Sequence, residues 1–538
     1  MEIYAHEPLG FDGFLVRVEA DIRNGIPAVE IVGLASTSVR EARERARIAV
    51  RNAGFEFPQD RILVNLSPAD LPKEGSAYDL PIALKILSQS GQIADVPFPV
   101  LAMGELTLGG EIQPVRGILP AARAAAEKGI GSCIVPIENA SEAMVVSSMQ
   151  VWPISHLSQA RQILIALREG EKPGMFLDGT LLGHGFGHEL QADSAPHSMP
   201  DSHINYSPGA WEHEQSLDFR DFKGDEKFIR SLVVAAAGGH NMFLAGPPGA
   251  GKTMAANRFP SLLPDLEATE ALDTASLYSL WGQKQARFTK RPPFRAPHHS
   301  ASLEGILGGS KPLRPGEVSL AHHGILFLDE CPEFRRDVLQ ALREPVERGY
   351  VDIVRAGRVI RFPSDFQLIM AANPCPCGNL GIPGKTCLCT PEEIRRYWKK
   401  LGGPLLDRID MRVAVVPPGP SRLLRAQSIS HSDLQKKVLN ARIRQRERLQ
   451  RADARNARTN ARIPPGHIPE LCKVTGNAEK LFLSGVSSYG LSARAGHSIL
   501  KVARTIADLD GRQEIGESAI EEAIEYRQLG DGDAIWPG

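Results

Sequence analysis

The chain has 538 residues, 42% apolar and 23% charged, with 62 Lys and Arg against 63 Asp and Glu. That length exceeds a single core and fits about three domains, and the near-zero charge balance excludes a global basic field, so any nucleic-acid contact must rest on local patches. No run reaches the roughly 18 apolar residues that cross a bilayer, which excludes a membrane-spanning helix.

Met1 to Glu7 lacks the basic-then-apolar pattern of a signal peptide, which sets a cytoplasmic expectation. Residues 1–168 read as an α/β domain. Phe14 to Ala20 and Ile62 to Leu66 are strand-like, Ser38 to Ala53 has helical spacing with many Arg and Glu, and Tyr78 to Leu87 opens a helix. Residues 169–216 are rich in Gly, His, Ser, Pro and Asp and read as a linker. Its His184, His188, His197, His203 and His213 are irregularly spaced, which favours solvated histidines over a metal site.

Residues 217–418 carry strand–loop–helix patterns and the nucleotide motifs. A buried strand, Met242 to Ala245, runs into Gly246, Pro247, Pro248, Gly249, Ala250, Gly251, Lys252 and Thr253, a phosphate loop with a strand before it and a helix after it. Glycines there let backbone N–H groups turn towards phosphate oxygens, and the helix N-terminus adds positive dipole. Lys252 supplies a charge for the β- and γ-phosphates of ATP, and the Thr253 hydroxyl a ligand for Mg²⁺.

Further on, Gly324 to Leu328 is an apolar strand ending in Asp329 and Glu330. Acids at the C-terminal end of a parallel strand lie where such sheets bind ligands. Asp329 suits the Mg²⁺ shell, and Glu330 suits polarising a water, which hydrolysis needs and binding alone does not. Tyr350 to Phe362 alternates on both sides of Arg355-Ala-Gly-Arg358 and reads as a β-hairpin. A third buried strand, Gln367 to Ala372, ends at Asn373, placed to orient that water.

Cys375, Cys377, Cys387 and Cys389 follow directly, four of seven cysteines in one short segment. Four thiolates suit tetrahedral Zn²⁺, although Cys-x-Cys is tighter than the usual pair, and buried small hydrophobes remain the alternative. Arg408 follows Gly403 to Asp407. Residues 419–538 are helical, with segments at Asp433–Leu449, Ala478–Ser487, Ala493–Leu509 and Glu517–Tyr526, and Arg494 opens the third. Between Lys436 and Arg462, ten Lys and Arg stand against Glu447 and Asp453, either a DNA surface or a solvated helix face.

Longer stretches then carry a resemblance. Ala236 to Met254, Phe294 to Ser302, Arg314 to His322, Ala372 to Gly378, Gly490 to Ala495 and Ile499 to Leu509 resemble the ComM/YifB family, within the helix-2-insert branch of AAA+ ATPases that includes the magnesium chelatase I subunit. The resemblance implies an AAA+ core with a parallel sheet, a helical C-terminal lid, and a hexameric ring with ATP at subunit interfaces. Arg408 matches the family's arginine finger and Arg494 its sensor-2 arginine. In such relatives the hairpin projects into the central pore, which would set Arg355 and Arg358 on DNA phosphates. The family implies a DNA motor promoting branch migration in recombination or natural transformation. A chelatase-type chaperone that remodels a protein partner uses the same nucleotide parts and stays open as the alternative. Ser498 departs from the basic residue usual in the family's lid.

Lys73 to Leu80 and Met103 to Val115 resemble the Lon-protease domain. That family's catalytic Ser and Lys positions align with Ala77 and Leu119, so the dyad is missing from the residues themselves.

Overall fold

The computed structural model describes residues 1–173, 218–220, 222, 224–282, 288–309, 313–355, 358–382, 384–417, 430–454 and 457–527. Most of the expected linker, with its five histidines, lies outside them. The described residues form two units, one within 1–213 and 275–288, the other within 214–274 and 289–538. No helix of the described residues is long and apolar enough to cross a membrane.

In the first unit, seven strands form a mixed sheet: β1 (Ile3–Glu7), β2 (Phe14–Arg23), β3 (Ala28–Val32), β4 (Arg61–Ser67), β5 (Val100–Ala102), β6 (Ser132–Pro136) and β7 (Gln150–Ile154), in the order β3-β4-β2-β1-β5-β6-β7. Strands β1, β2 and β4 pair antiparallel, and the remaining pairings are parallel. Helix α1 (Thr37–Asn52) starts where the Ser36 hydroxyl accepts the Val39 N–H, a capping bond. It buries Val39, Ala42, Ala46, Ala49 and Val50, small side chains at helical spacing that permit close packing, and turns Arg40, Arg43, Arg47 and Arg51 outward. Helix α2 (Asp79–Gln89) is tied to α1 by Arg45, whose guanidinium grips the buried Asp79 carboxylate at 2.7 and 2.9 Å.

The positions aligned with the protease dyad have other partners. Leu119 is buried and its N–H donates to Glu142, while Ser76, next to Ala77, donates to Glu105. Lys73, also buried, gives its ammonium to the carbonyls of Gly33 and Pro68.

The second unit holds a five-stranded parallel sheet made of β8 (Met242–Ala245), β9 (Phe294–Arg295), β10 (Ile325–Leu328), β13 (Gln367–Ala372) and β14 (Met411–Ala414), with β11 (Tyr350–Arg355) and β12 (Arg358–Pro363) forming a separate hairpin. The sheet order is β9-β10-β13-β8-β14. Every residue of β8, β10 and β13 is buried, as expected for central strands covered on both faces. Helix α3 (Glu226–Gly238) packs with α5 (His431–Arg451) and α6 (Ala493–Leu509) in one core that also takes Leu244 and Ile369 from the sheet.

The basic run of α5 and the segment after it is largely spent inside this unit. Arg448 chelates Asp508 at 2.7 Å, and Asn460 and Thr505 complete a buried polar cluster. Arg442 donates both nitrogens to the Ala236 carbonyl, and Arg444 reaches the Asp508 carbonyl. Arg446, Arg458 and Arg462 pair with Glu267, Glu270 and Asp365. Most of these guanidiniums thus have partners within the unit, yet Lys436, Lys437, Arg444, Arg446, Arg451 and Arg458 remain exposed, so a DNA surface and a solvated face both stay open; Arg455 lies outside the described residues.

A buried carboxyl in the first unit makes its stability pH-dependent. Burial pushes Glu7 up from 4.5 to about 8, against opposing hydrogen bonds from the Tyr78 hydroxyl and the Glu74 N–H. Between those values the folded state holds a proton that the unfolded chain releases. The contribution is therefore complete below about 4.5 and is lost as pH rises through about 8. Glu7→Gln keeps the acceptor without the titration. Its thermal midpoint should fall less than the parent's between about pH 5 and 8.5, and parallel pH profiles would refute the assignment.

Candidate nucleotide site

Three neighbouring parallel strands deliver the candidate residues to one edge of the second sheet. Leu244 on β8 pairs with Ala371 on β13, and Phe327 on β10 pairs with Ile369, so the strands end nearly level. Since β13 lies between β8 and β10, Asn373 emerges between the phosphate loop and the two acids. The loop then turns through Gly249 and Gly251, at φ 79° and 90°, into helix α4 (Lys252–Arg258). Both angles lie in the left-handed region that glycine tolerates.

Lys252 is 7% exposed and folded back onto the loop: its ammonium donates to the Gly246 carbonyl at 2.6 Å, the Pro247 carbonyl at 3.0 Å and Asn373 Oδ1 at 3.1 Å. Burial lowers its pKa, and the Asp329 and Glu330 charges oppose that shift. Thr253 Oγ donates to Asp329 Oδ2 at 2.7 Å, and Asp329 Oδ1 accepts the Glu330 N–H at 2.9 Å. Two oxygens suited to a hard divalent cation are thus adjacent. Glu330 is exposed and sits at φ 47°, ψ 42°, a left-handed conformation costly for a side-chain-bearing residue and common at functional sites.

The two expected arginines are not at this loop. Arg408 binds Glu347, Nε to Oε2 at 2.9 Å, and Arg494 binds the other oxygen, Oε1, at 2.5 Å. Sequence reasoning passed over Glu347, the carboxylate that gathers both, because it belongs to no nucleotide motif. It lies on a short helix, Arg343–Arg348, directly before the hairpin. Its pKa is held low by hydrogen bonds from Arg408 and Arg494, which outweigh a burial effect in the other direction. Ser498 is itself buried and donates to Asp410 at 2.8 Å, so that position faces inward.

The hairpin pairs Tyr350–Arg355 with Arg358–Pro363, and Arg355 lies opposite Arg358; turn residues 356 and 357 are outside the described set. Its base is braced where Arg361 binds Asp352 through two nitrogens, at 2.8 and 2.9 Å, and stacks over Tyr350. Val354 and Val359 are 74% and 64% exposed.

After Asn373 the four cysteines converge. Cys375, Cys377 and Cys387 have Sγ separations of 3.4 to 3.6 Å, and the ligand atoms of all four, Cys389 included, lie within 4.8 Å of one another. A tetrahedral site with metal–sulfur bonds of about 2.3 Å has edges of about 3.8 Å, so the cluster needs little adjustment to hold zinc. Its loop abuts the phosphate loop: a Cβ on Gly378 would meet Pro248 Cγ at 2.7 Å.

Among known proteins, residues 218–422 match the family model for magnesium chelatase, subunit ChlI, residues 18–139 that for subunit ChlI of Mg-chelatase, and residues 428–527 that for the ChlI C-terminal region. The chain is 39% identical to YifB of Salmonella typhimurium over 532 residues, covering 98% of this chain and 97% of that protein. It is 39% identical to competence protein ComM of Haemophilus influenzae over 533 residues, with the same coverage. A Lon protease of Syntrophomonas wolfei is 23% identical over 182 residues, 32% of this chain and 22% of that protein.

The buried ammonium yields a stability test. Removing one member of a buried hydrogen-bonded set leaves its partners unsatisfied. Unliganded Lys252→Met should therefore unfold at a lower urea midpoint than the parent. An equal or higher midpoint would show that the lysine is not a tie between the strands.

Proposed function

The chain belongs to the ComM/YifB family of magnesium-chelatase-like AAA+ proteins, and on that premise we propose that it is an ATP-hydrolysing hexameric motor acting on DNA, a branch-migration helicase of recombination or natural transformation. The observation that carries the ATPase reading is the convergence of Lys252, the Thr253–Asp329 pair and Asn373 at the ends of three adjacent parallel strands.

In this reading the loop from Gly246 to Thr253 receives the phosphates. Lys252 leaves the Gly246 and Pro247 carbonyls for the more strongly charged phosphate oxygens. Thr253 and Asp329 would hold Mg²⁺, which when bound offsets the charge of the β- and γ-phosphates. Glu330 takes the proton of the attacking water while Asn373 orients that water, and the products are ADP and phosphate. Arg408 and Arg494 act as finger and sensor, steadying charge on the γ-phosphate oxygens. Their position on Glu347, away from their own chain's phosphate loop, fits delivery to a neighbour's site. Arg355 and Arg358 on the hairpin contact DNA phosphates without reading bases.

The alternative, a chaperone ring that remodels a protein partner, would use the same nucleotide parts. Stimulation of ATP hydrolysis by forked DNA discriminates the two: no stimulation by DNA of any form would leave the chaperone.

Glu330→Gln should retain nucleotide binding and lose hydrolysis by about a hundredfold or more, whereas Lys252→Ala should lose binding itself. Turnover near the parent's in Glu330→Gln would refute its role as base. For the cysteines we propose structural Zn²⁺, about one per chain by elemental analysis. Chelation should weaken nucleotide binding, because the cysteine loop abuts Pro248. Far less than one zinc, with no cobalt–thiolate absorption after substitution, would end that assignment.

A further inference from the structure

The first unit carries a charged surface that none of these roles uses. Helix α1 exposes Arg40, Arg43, Arg47 and Arg51 on the side opposite its buried alanines. At about 100° per residue the four fall within one stripe about 80° wide, and the last three climb the helix in steps of about 6 Å. That step is on the order of the separation between successive phosphates of a nucleic-acid strand.

Many arginines elsewhere in the chain are paired. Arg45 is locked onto Asp79, and most of the α5 guanidiniums bind carboxylates or carbonyls. Here, among the described residues, Arg40, Arg47 and Arg51 form no ion pair, and Arg43 reaches only its neighbour Glu44, at 3.5 Å. Like charges four residues apart on a helix repel, and the exposed Glu44 beside Arg43 offsets only part of that repulsion.

Beside it lies a groove of about 250 Å³, with Arg43, Arg47 and Arg51 along one wall and Pro27, Phe57 and Pro58 among its other lining residues. Glu44 and Asp60 also line it. Guanidiniums suit phosphate oxygens, the apolar side chains suit sugar and base faces, and the two carboxylates suit the amino donors of bases. An acidic peptide would meet the arginines with carboxylates and bring only backbone N–H groups to Glu44 and Asp60.

We propose that this stripe and groove bind a nucleic-acid strand, as a site separate from the hairpin. The proposal rests on the reading of the chain as a DNA motor. The test measures binding of a fluorescein-labelled single-stranded oligonucleotide by anisotropy across a salt series, using the full chain, Arg43→Ala/Arg47→Ala/Arg51→Ala, and Arg355→Ala/Arg358→Ala. The triple variant should bind at least about tenfold more weakly at low salt. Its plot of log affinity against log salt should be flatter by about two units, three phosphate contacts at about 0.7 each. Its unfolding midpoint should equal or exceed the parent's, since the substitutions relieve repulsion. An unchanged affinity and slope in the triple variant, with the hairpin variant weakened, would overturn this site and leave the motor reading standing. Displacement of the oligonucleotide by polyglutamate as effectively as by an equal charge of unlabelled DNA would also overturn it, in favour of an acidic protein partner. A parent that binds no DNA would remove the motor reading and this site together.

Discussion

The burial of one ammonium group organises the nucleotide site. Lys252 loses most of its water, and three oxygens replace it: two loop carbonyls and the Asn373 side chain. Such a group is tolerable only with its donors satisfied, and that requirement ties β8 to the end of β13. The strand order supplies the partner, because β13 separates β8 from β10. The same level ending of strands brings Thr253 to Asp329 across the sheet edge. A loop built to hold a lysine in this way is poised for a stronger anion, which would replace weak carbonyl acceptors with charged oxygens.

Glu347 organises the opposite set of charges. One carboxylate, with an arginine on each oxygen, joins the segment at Arg408 to the first turn of α6 at Arg494. Two residues later Gly349, at φ 74°, turns the chain into the hairpin at Tyr350. Any force that draws the two guanidiniums elsewhere must first break ion pairs at the hairpin's root. Glu347 therefore links Arg408, Arg494 and the root of the hairpin within a few residues.

Small glycine contacts fix how the pieces fit. Gly378 lets the cysteine loop lie on Pro248, so the order of that loop bears directly on the phosphate loop. The first unit keeps a fold related to Lon proteases while its dyad positions hold Ala77 and Leu119. Its buried polar groups, Lys73 with two carbonyls and Glu7 with Tyr78, serve the fold.

Much of the site was legible in the sequence because its parts are short and contiguous. Eight residues after a buried strand specify a phosphate loop, since backbone N–H groups do the binding and glycine placement sets their direction. Apolar runs ending in Asp329-Glu330 and Asn373 marked central parallel strands, and alternation around Arg355 and Arg358 marked the hairpin. These signals depend on local conformation and periodicity, which a few neighbouring residues determine. Only the tertiary structure decided the charge partners. Arg408 and Arg494 lie 61 and 147 residues from Glu347, and a linear sequence does not rank one carboxylate above another at such distances. For the same reason the basic run on α5 left a DNA surface and a solvated face both open, and only the fold shows Arg442, Arg444 and Arg448 bonded to neighbouring helices. An arginine looks the same in sequence whether its partner is a carbonyl, a carboxylate or water; the long-range packing of the surfaces around it makes that choice.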